Sequence, residues 1–569
     1  MGDGMQTDRR ALVGLGLLAA GVGLATSARA APVMDLQGDP KSTFRGAVDD
    51  IAAYAGRHVA AHGLPGLTLA LTARDGFTAL LRFGQADVER GVAVGPDHLF
   101  QIGSISKSFT AICIFQLAEA GKLNLDADVR VLLPGVPLPP DGPTTVRSLL
   151  NHSSGLPDDA PIFPRGGNQT LWRGFAPGKR WSYSNLGFML LSTIVEAIER
   201  KPFAEVLQAK VLSPLGMTST HGAILTVDRR LYASGYAPFY ADRGYPRAGP
   251  LGPAAWVDMT AGSGCVASTA GDMALYARWL AEAGQGRGAP LLSDAGAAKF
   301  CKATIAAPGW AVKEAKYANG LAVVPVGGRD LLHHTGGMLA FSSAIHVDPI
   351  AGVGAFASTN VGLVPYRPRE ITAYACERLR AVVESGPTPT PPAAPPKAPD
   401  LAVYAGRYTA PHGETLEIRP NGDELDAVRF GRIIKLIASE TDAFIATDPA
   451  QADHALVFRR KDKTVTRAWW GETEFVKAGE AFSPATPVAL QALTGHYEND
   501  DPWRGGFRVT AQGRNLFLEG TTPLVARPDG SWRVGVEAWS PERLRFDAVL
   551  HGRPQRANFS GVDYVRRPA

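Results

Sequence analysis

A serine and a lysine three residues apart carry the strongest sign of chemistry in this chain. Ser104 and Lys107 lie in the stretch QIGSISKSFT, ahead of an apolar run at 112–117 that favours a helix. Residues i and i+3 of a helix share one face, so a lysine kept neutral by burial or nearby positive charge could accept the serine proton. The helix N-terminus would favour an anion beside Ser104. The pair suggests an acyl-transfer nucleophile, although the same spacing also occurs on ordinary helices.

A tyrosine and an asparagine two residues apart form the second candidate pair. Tyr183 and Asn185 lie in WSYSNLG, just before an apolar helix predicted at 186–198. A tyrosine beside a lysine ammonium could shift towards phenolate and act as a general base. The asparagine amide could hold a substrate carbonyl. The same spacing at Tyr317 and Tyr497 is interpreted as ordinary core or surface tyrosine.

The third candidate is the stretch HTGG, which contains His334, Gly336 and Gly337 and predicts an edge strand beside a cleft. Small residues would let a substrate backbone lie close to this strand, and a backbone N–H there could complete an oxyanion hole. The histidine alone is weak evidence, since His333 stands next to it.

In this order, the three motifs resemble the class C β-lactamase and low-molecular-weight penicillin-binding protein family of serine hydrolases. Flanking segments such as LLNHSSGLP at 149–157 and PLGM at 214–217 are also similar to that family. The resemblance covers about residues 40–385. It implies an acyl-transfer enzyme that needs no metal or other cofactor and acts on a small-molecule or short-peptide substrate.

The resemblance also implies a role for each motif residue. Ser104 would be the acylated nucleophile, and Lys107 and Tyr183 would share proton transfer. Asn185 would help to position the substrate. The N–H groups of Ser104 and Gly337 would form the oxyanion hole, with His334 and Gly336 lining the substrate.

One departure from the family pattern lies at His334, where β-lactamases and carboxypeptidases of this group usually carry a lysine that attracts the substrate carboxylate. Histidine is mostly neutral at pH 7, and an unperturbed one would gain charge only below about pH 6.5. The H-x-G version resembles D-aminopeptidase-like and some esterase-like members. A peptidase or amidase of D-aminopeptidase type is therefore favoured, with esterase, β-lactamase and a non-catalytic penicillin-recognising sensor or wall-binding protein as alternatives.

Composition narrows the remaining possibilities. At 569 residues, the chain is long enough for two or three domains. Lysine and arginine together number 58 against 54 acidic residues, so no basic excess suggests nucleic-acid binding. None of the four cysteines forms a C-x-x-C pair, and no spaced His/Cys cluster suggests zinc. The oligomeric state stays open.

The first 30 residues predict a signal peptide. Arg9-Arg10 precedes an apolar stretch at 11–24, and Ala-Arg-Ala at 28–30 fits a signal peptidase site. The paired arginines resemble a twin-arginine signal, with an ordinary Sec signal as the alternative. We therefore expect a periplasmic or secreted protein with no membrane span after signal removal.

The rest of the chain predicts an α+β hydrolase domain followed by two small barrels. Strand patterns at both ends of 31–385, with helical patterns between them, indicate an antiparallel sheet flanked by helices, plus a helical subdomain. A Pro-rich linker at 386–400 follows. Beyond it, YAGRY around Gly406 recurs 89 residues later as LTGHY. Repeated strand patterns at this offset predict antiparallel β-barrels at 401–486 and 487–569.

Overall fold

One antiparallel sheet runs through the first part of the chain. The computed structural model describes residues 32–38, 42–165, 169–239, 243, 249–362, 366–393 and 400–568. The expected signal peptide lies outside these residues. The main strands are β1 (Val33–Gln37), β2 (Gly66–Ala73), β3 (Thr78–Asp87), β4 (Ile305–Ala306), β5 (Lys316–Tyr317), β6 (Ala322–Val326), β7 (Arg329–Gly337), β8 (Ser342–Asp348) and β9 (Val353–Thr359). Their spatial order is β1-β3-β2-β9-β8-β7-β6-β5-β4.

Six longer helices surround this sheet. They are α1 (Arg45–His62), α2 (Ser106–Glu119), α3 (Asn185–Glu199), α4 (Ala270–Ala283), α5 (Asp294–Cys301) and α6 (Arg369–Val383). Shorter helical segments are Gly103–Ile105, Val129–Leu132, Val146–Leu150, Phe203–Leu207, Gln208–Leu212, Ser213–Leu215 and Thr226–Leu231. Short strands outside the main path are Val92–Ala93, Phe100–Gln101, Tyr236–Pro238, Leu251–Pro253 and Ala267–Ser268.

Helices cover both faces of the sheet. Helices α1 and α6 pack together, and α6 lies on β8 and β9, while α4 packs against β2 and β9. Strands β2, β8 and β9 are buried along their whole length, because neither face of the sheet centre meets water. Helices α2 and α3 pack against each other in a separate helical subdomain. This architecture confirms the predicted α+β fold.

The C-terminal part of the chain forms two closed eight-stranded antiparallel barrels, as predicted. The first contains Gly406–Thr409, Thr415–Asn421, Glu424–Arg429, Arg432–Glu440, Ala443–Ala446, Leu456–Lys461, Thr464–Trp470 and Thr473–Lys477. The second contains Gly495–Glu498, Gly506–Gln512, Asn515–Leu518, Thr522–Ala526, Trp532–Val534, Arg543–Leu550, Arg553–Phe559 and Val562–Arg566. Short helical turns, Leu401–Tyr404, Pro449–Gln451 and Val488–Gln491, accompany them.

The sequence repeat corresponds to a repeated side-chain contact. Tyr408 donates a hydrogen bond from its hydroxyl to the carbonyl of Tyr404 at 2.7 Å. The equivalent Tyr497 donates to the carbonyl of Leu493 at 2.9 Å. Each tyrosine therefore ties the first strand of its barrel to the turn that precedes it, with a ring buried in the barrel core. Within the described ranges, no helix combines the length and apolar character needed to cross a membrane.

Candidate active site

Ser104 lies where a 3-10 turn, Gly103–Ile105, leads into helix α2. Gly103 has a positive φ of 52°, a conformation in which a side chain would be strained. The neighbours Gly103 and Ile105 are buried, whereas Ser104 is half-buried and still reached by solvent. The turn thus presents one hydroxyl to the cleft and hides the residues on either side.

Lys107 occupies the next turn of the helix and is fully buried. Its Nζ lies 2.9 Å from the Ser104 Oγ, 2.6 Å from the Asn185 Oδ1 and 2.7 Å from the Ser263 carbonyl oxygen. Burial lowers the pKa of Lys107 to about 7, although the nearby negative charges of Asp158 and Asp159 act in the opposite direction.

The three neighbours of the Lys107 amine determine what it can do when neutral. A neutral amine has two N–H groups and one lone pair. The Asn185 Oδ1 and the Ser263 carbonyl can only accept hydrogen bonds, so they take both N–H groups. The lone pair is then left for the Ser104 hydroxyl, which can donate its proton along the 2.9 Å contact. The arrangement is that of a nucleophile with its base already in position.

Tyr183 lies on the other side of the amine, with its ring centroid 4.9 Å from the Lys107 Nζ. Its hydroxyl is buried, and burial raises the pKa of Tyr183 well above its ordinary value, with the Ser104 hydroxyl acting in the opposite direction. This environment favours the phenol form over the phenolate considered from the sequence. Tyr183 is therefore better suited to donate a proton near Ser104 than to remove one.

Asn185 connects the lysine to a cluster of carboxylates that the sequence analysis missed. Helix α3 begins at Asn185, after Ser184 caps it by accepting from the Gly187 N–H. The Asn185 side-chain amide donates to Asp159 at 3.0 Å, and its backbone N–H donates to Asp158 at 2.9 Å. These contacts orient the amide so that its oxygen faces Lys107.

The second barrel reaches this cluster. The carboxylate of Glu542 accepts a hydrogen bond from the Asp158 backbone N–H at 2.8 Å, and Arg504 donates to the Asp159 carbonyl at 2.9 Å. Burial raises the pKa of Asp158 well above its ordinary value, and the charges of Asp159 and Glu542 add to that effect. Local sequence could not reveal this contact, since 384 residues separate Asp158 from Glu542.

His334 is fully buried in strand β7. Its Nε2 lies 2.9 Å from the Tyr317 hydroxyl and its Nδ1 lies 2.6 Å from the Thr335 carbonyl oxygen. Burial, aided by the charge of Lys107, holds the pKa of His334 well below its ordinary value. The expectation that this histidine gains charge below about pH 6.5 is therefore wrong, because that expectation assumed a solvated ring.

Aromatic rings surround the catalytic candidates. Trp310 stacks on Tyr183, with centroids 4.8 Å apart and planes 12° apart, and lies 5.3 Å from the His334 ring. Tyr317, interpreted from the sequence as an ordinary core or surface residue, is buried beside His334. His152 accepts a hydrogen bond from the Ser184 N–H at 3.1 Å and lies against Tyr183. This apolar wall excludes water from Lys107 and so favours its neutral form.

Gly336 and Gly337 let strand β7 lie against the Ser104 turn. A Cβ on Gly336 would overlap the carbonyl oxygen of Ile102 and the hydroxyl of Ser343. A Cβ on Gly103 would lie 2.8 Å from the Gly337 nitrogen, so these two backbones are in close approach. The Gly337 N–H is thereby held next to the residue that precedes the nucleophile, as an oxyanion hole requires.

Arg367 is a cation near this strand that the sequence analysis missed. Its guanidinium occupies the space where a Cβ on Gly337 would stand, and it donates to the Ser342 hydroxyl at 3.2 Å. Its positive charge also acts on Tyr183. The positive charge expected at position 334 in lysine-bearing relatives is thus present nearby on a different residue.

Comparison with known proteins agrees with this geometry. A family model described as Beta-lactamase matches residues 51–376, which is more than half of the chain. Penicillin-binding protein 4 of Amycolatopsis lactamdurans is 27% identical over 366 residues, covering 61% of this chain and 93% of that protein. The D-aminopeptidase of Gluconobacter oxydans is 33% identical over 169 residues, covering 27% of this chain and 31% of that protein.

Structural comparison gives the same fold. The octameric penicillin-binding protein homologue from Pyrococcus abyssi is 24% identical, with a TM-score of 0.54, and covers 76% of this chain and 100% of that one. Apart from the Amycolatopsis protein, alignments with several curated relatives span only 31% to 46% of their length.

Replacing Gly336 by alanine should move strand β7 away from the Ser104 turn. The added methyl group would overlap the Ile102 carbonyl, so we expect a loss of about 1–3 kcal/mol in stability and at least tenfold slower acylation by an activated ester. Gly135→Ala is the control, because nothing lies within 4 Å of its Cβ position. Thermal unfolding and stopped-flow acylation measure both effects. Unchanged acylation in Gly336→Ala would contradict the close approach described above.

Proposed function

The chain belongs to the beta-lactamase family, and on that premise we propose that it is an exported serine hydrolase that cleaves amide or ester bonds through an acyl-enzyme on Ser104. The observation that carries the proposal is the contact of the buried Lys107 amine with the Ser104 hydroxyl at 2.9 Å. The signal-like segment at 1–30 supports export.

The first half-reaction transfers the acyl group to the enzyme. Neutral Lys107 takes the Ser104 proton as Oγ attacks the substrate carbonyl carbon. The N–H groups of Ser104 and Gly337 stabilise the resulting oxyanion. The C–N or C–O bond then breaks, and the leaving amine or alkoxide takes a proton from the Tyr183 hydroxyl, which Lys107 restores.

The second half-reaction releases the acyl group. A water molecule attacks the ester carbon on Ser104 and passes its proton to the neutral Lys107. The same two N–H groups stabilise the second oxyanion, and the bond to the Ser104 Oγ breaks as Oγ regains a proton. The sum is hydrolysis of one amide or ester bond, and every proton returns to its starting group.

A peptidase or amidase of D-aminopeptidase type is the favoured specificity. The neutral His334 gives no positive charge for a substrate carboxylate. The exposed Asp159, held beside Asn185, offers negative charge that suits a substrate ammonium group. The similarity to a D-aminopeptidase and the two C-terminal barrels support the same choice.

Recognition of a carboxylate-bearing substrate, as in a β-lactamase or carboxypeptidase, is the second candidate. Arg367 favours it, because this guanidinium lies against Gly337 beside the scissile-bond position. Esterase activity and a non-catalytic sensor role stay open, and labelling of the nucleophile separates the sensor from the enzymes.

Replacing Ser104 by alanine should abolish acyl-enzyme formation, because the buried lysine would face no hydroxyl. A fluorophosphonate probe and a labelled penicillin, followed by intact-protein mass spectrometry, should show an adduct in the wild type only. Ser182→Ala, a half-buried serine beside Tyr183, is the control and should label normally. An adduct on another serine would contradict the assignment, and no adduct with any probe would favour the sensor role.

The pH dependence of kcat/KM for an uncharged substrate should report the titration of Lys107. The active form is the neutral amine, so kcat/KM should be level above about pH 7 and should fall about tenfold per pH unit below it. Burial holds the pKa of both His152 and His334 well below the ordinary histidine value, so neither accounts for an inflection there. A flat profile between pH 5.5 and 8 would exclude Lys107 as the base.

Replacing Arg367 by glutamine should test carboxylate recognition. If the second candidate specificity holds, kcat/KM for a substrate with a free carboxylate should fall about tenfold, relative to its methyl ester. Arg369→Gln removes the same charge from the exposed neighbour two residues away and serves as control. An unchanged ratio in Arg367→Gln would leave the D-aminopeptidase type as the only specificity of the two.

A further inference from the structure

A second cleft, separate from the active site, lies between the hydrolase domain and the second barrel. It has a volume of about 280 Å³. Arg165 and Arg173 line it from the hydrolase domain, and Arg543 and Arg545 line it from the barrel. Asp141 is the one carboxylate among its described lining residues. None of these residues belongs to the catalytic machinery, so the excess of positive charge calls for a separate explanation.

Arg543 is held in place by an aromatic ring. Its guanidinium carbon lies 5.1 Å from the ring centroid of Trp172, and the Trp172 indole N–H donates to the Pro541 carbonyl at 2.6 Å, which fixes the ring. Burial lowers the pKa of Arg543 to about 10, and the charges of Arg527 and Arg545 act in the same direction. Its Nε has no hydrogen-bond partner among the residues that the structure describes.

Arg173 faces the same cleft from the opposite wall, with only 2% of its side chain exposed. Its Nη2 donates to the Thr144 hydroxyl at 3.0 Å, which anchors the guanidinium. Its Nε and Nη1 lack hydrogen-bond partners within the described residues, although the exposed Asp141 lies 3.2 Å from Nε. Buried guanidinium N–H groups without partners are costly, and an oxyanion in the cleft would supply acceptors for them.

The remaining two arginines add charge at the mouth of the cleft. Arg545 is paired with Asp529 on its own barrel at 3.0 Å, so part of its charge is already balanced. Arg165 is exposed, and its backbone carbonyl accepts from the Asn558 side chain at 3.2 Å, which ties the two walls together. The walls are therefore held at a fixed separation by contacts that do not use the guanidinium groups facing the cleft.

We propose that this cleft binds an oxyanion group, a phosphate or a carboxylate, of a small anionic molecule that contacts both domains. Planar guanidinium groups match such oxygens through paired N–H donors. Arg173 and Arg543 are the central ligands, because they combine burial with unused donors, and Arg165 adds charge at the rim. The ligand would bridge the hydrolase domain and the second barrel without touching Ser104.

Calorimetric titration of the mature full-length chain tests this proposal. Inorganic phosphate, pyrophosphate and citrate are each titrated at constant ionic strength, and sodium chloride controls for general screening. The wild type should bind at least one of the three oxyanions. In Arg543→Gln, the affinity for that anion should fall at least tenfold. Arg553→Gln removes an exposed arginine from the same barrel outside the cleft and should bind as the wild type does.

The outcomes separate cleanly. Preference for phosphate and pyrophosphate identifies a phosphate ligand, whereas preference for citrate identifies a carboxylate ligand. Arg165→Gln, on the opposite wall, repeats the test through the hydrolase domain if Arg543→Gln does not fold, and should also weaken binding. Absence of binding by all three anions to the wild type would overturn the proposal. So would equal affinities in the wild type and the folded cleft variant.

Discussion

The burial of the Lys107 ammonium is the constraint on which the active site depends. A lysine removed from water loses much of its preference for the charged form, and the lowering of its pKa from 10.5 to about 7 corresponds to roughly 5 kcal/mol. That loss is tolerated because the surrounding fold supplies acceptors for both N–H groups of the neutral amine, on Asn185 and Ser263. A base that is half neutral near pH 7 sits within reach of the nucleophile.

Three separate parts of the molecule maintain this environment. The Trp310 and Tyr183 rings exclude water from one side of the amine. On another side, strand β7 lies against the Ser104 turn because glycine occupies positions 336 and 337. The second barrel reaches the backbone of Asp158 through Glu542, and so supports the residues that orient Asn185. The barrel is therefore part of the frame of the active site as well as a domain in its own right.

The same barrel forms one wall of the arginine-lined cleft, so Glu542 and Arg543, adjacent in sequence, serve two neighbouring regions. Glu542 extends towards Asp158, and Arg543 stacks on Trp172. Because neighbouring residues of a strand point to opposite faces, one segment contacts both the active-site frame and the cleft. The charges that the two residues present to these regions are opposite in sign.

The sequence alone determined the features that depend on local pattern. The α+β fold and the tandem barrels followed from strand and helix periodicity and from a repeat at a constant offset. Ser104, Lys107, Tyr183, Asn185 and the glycines of β7 followed from motif order, because such chemistry requires fixed residue types at short spacings. Only the tertiary structure decided the protonation of these groups, since the pKa of Lys107, Tyr183 or His334 depends on residues brought to it by folding. For the same reason, Arg367, Glu542 and the arginine-lined cleft could not be found by pattern: their partners lie far away along the chain.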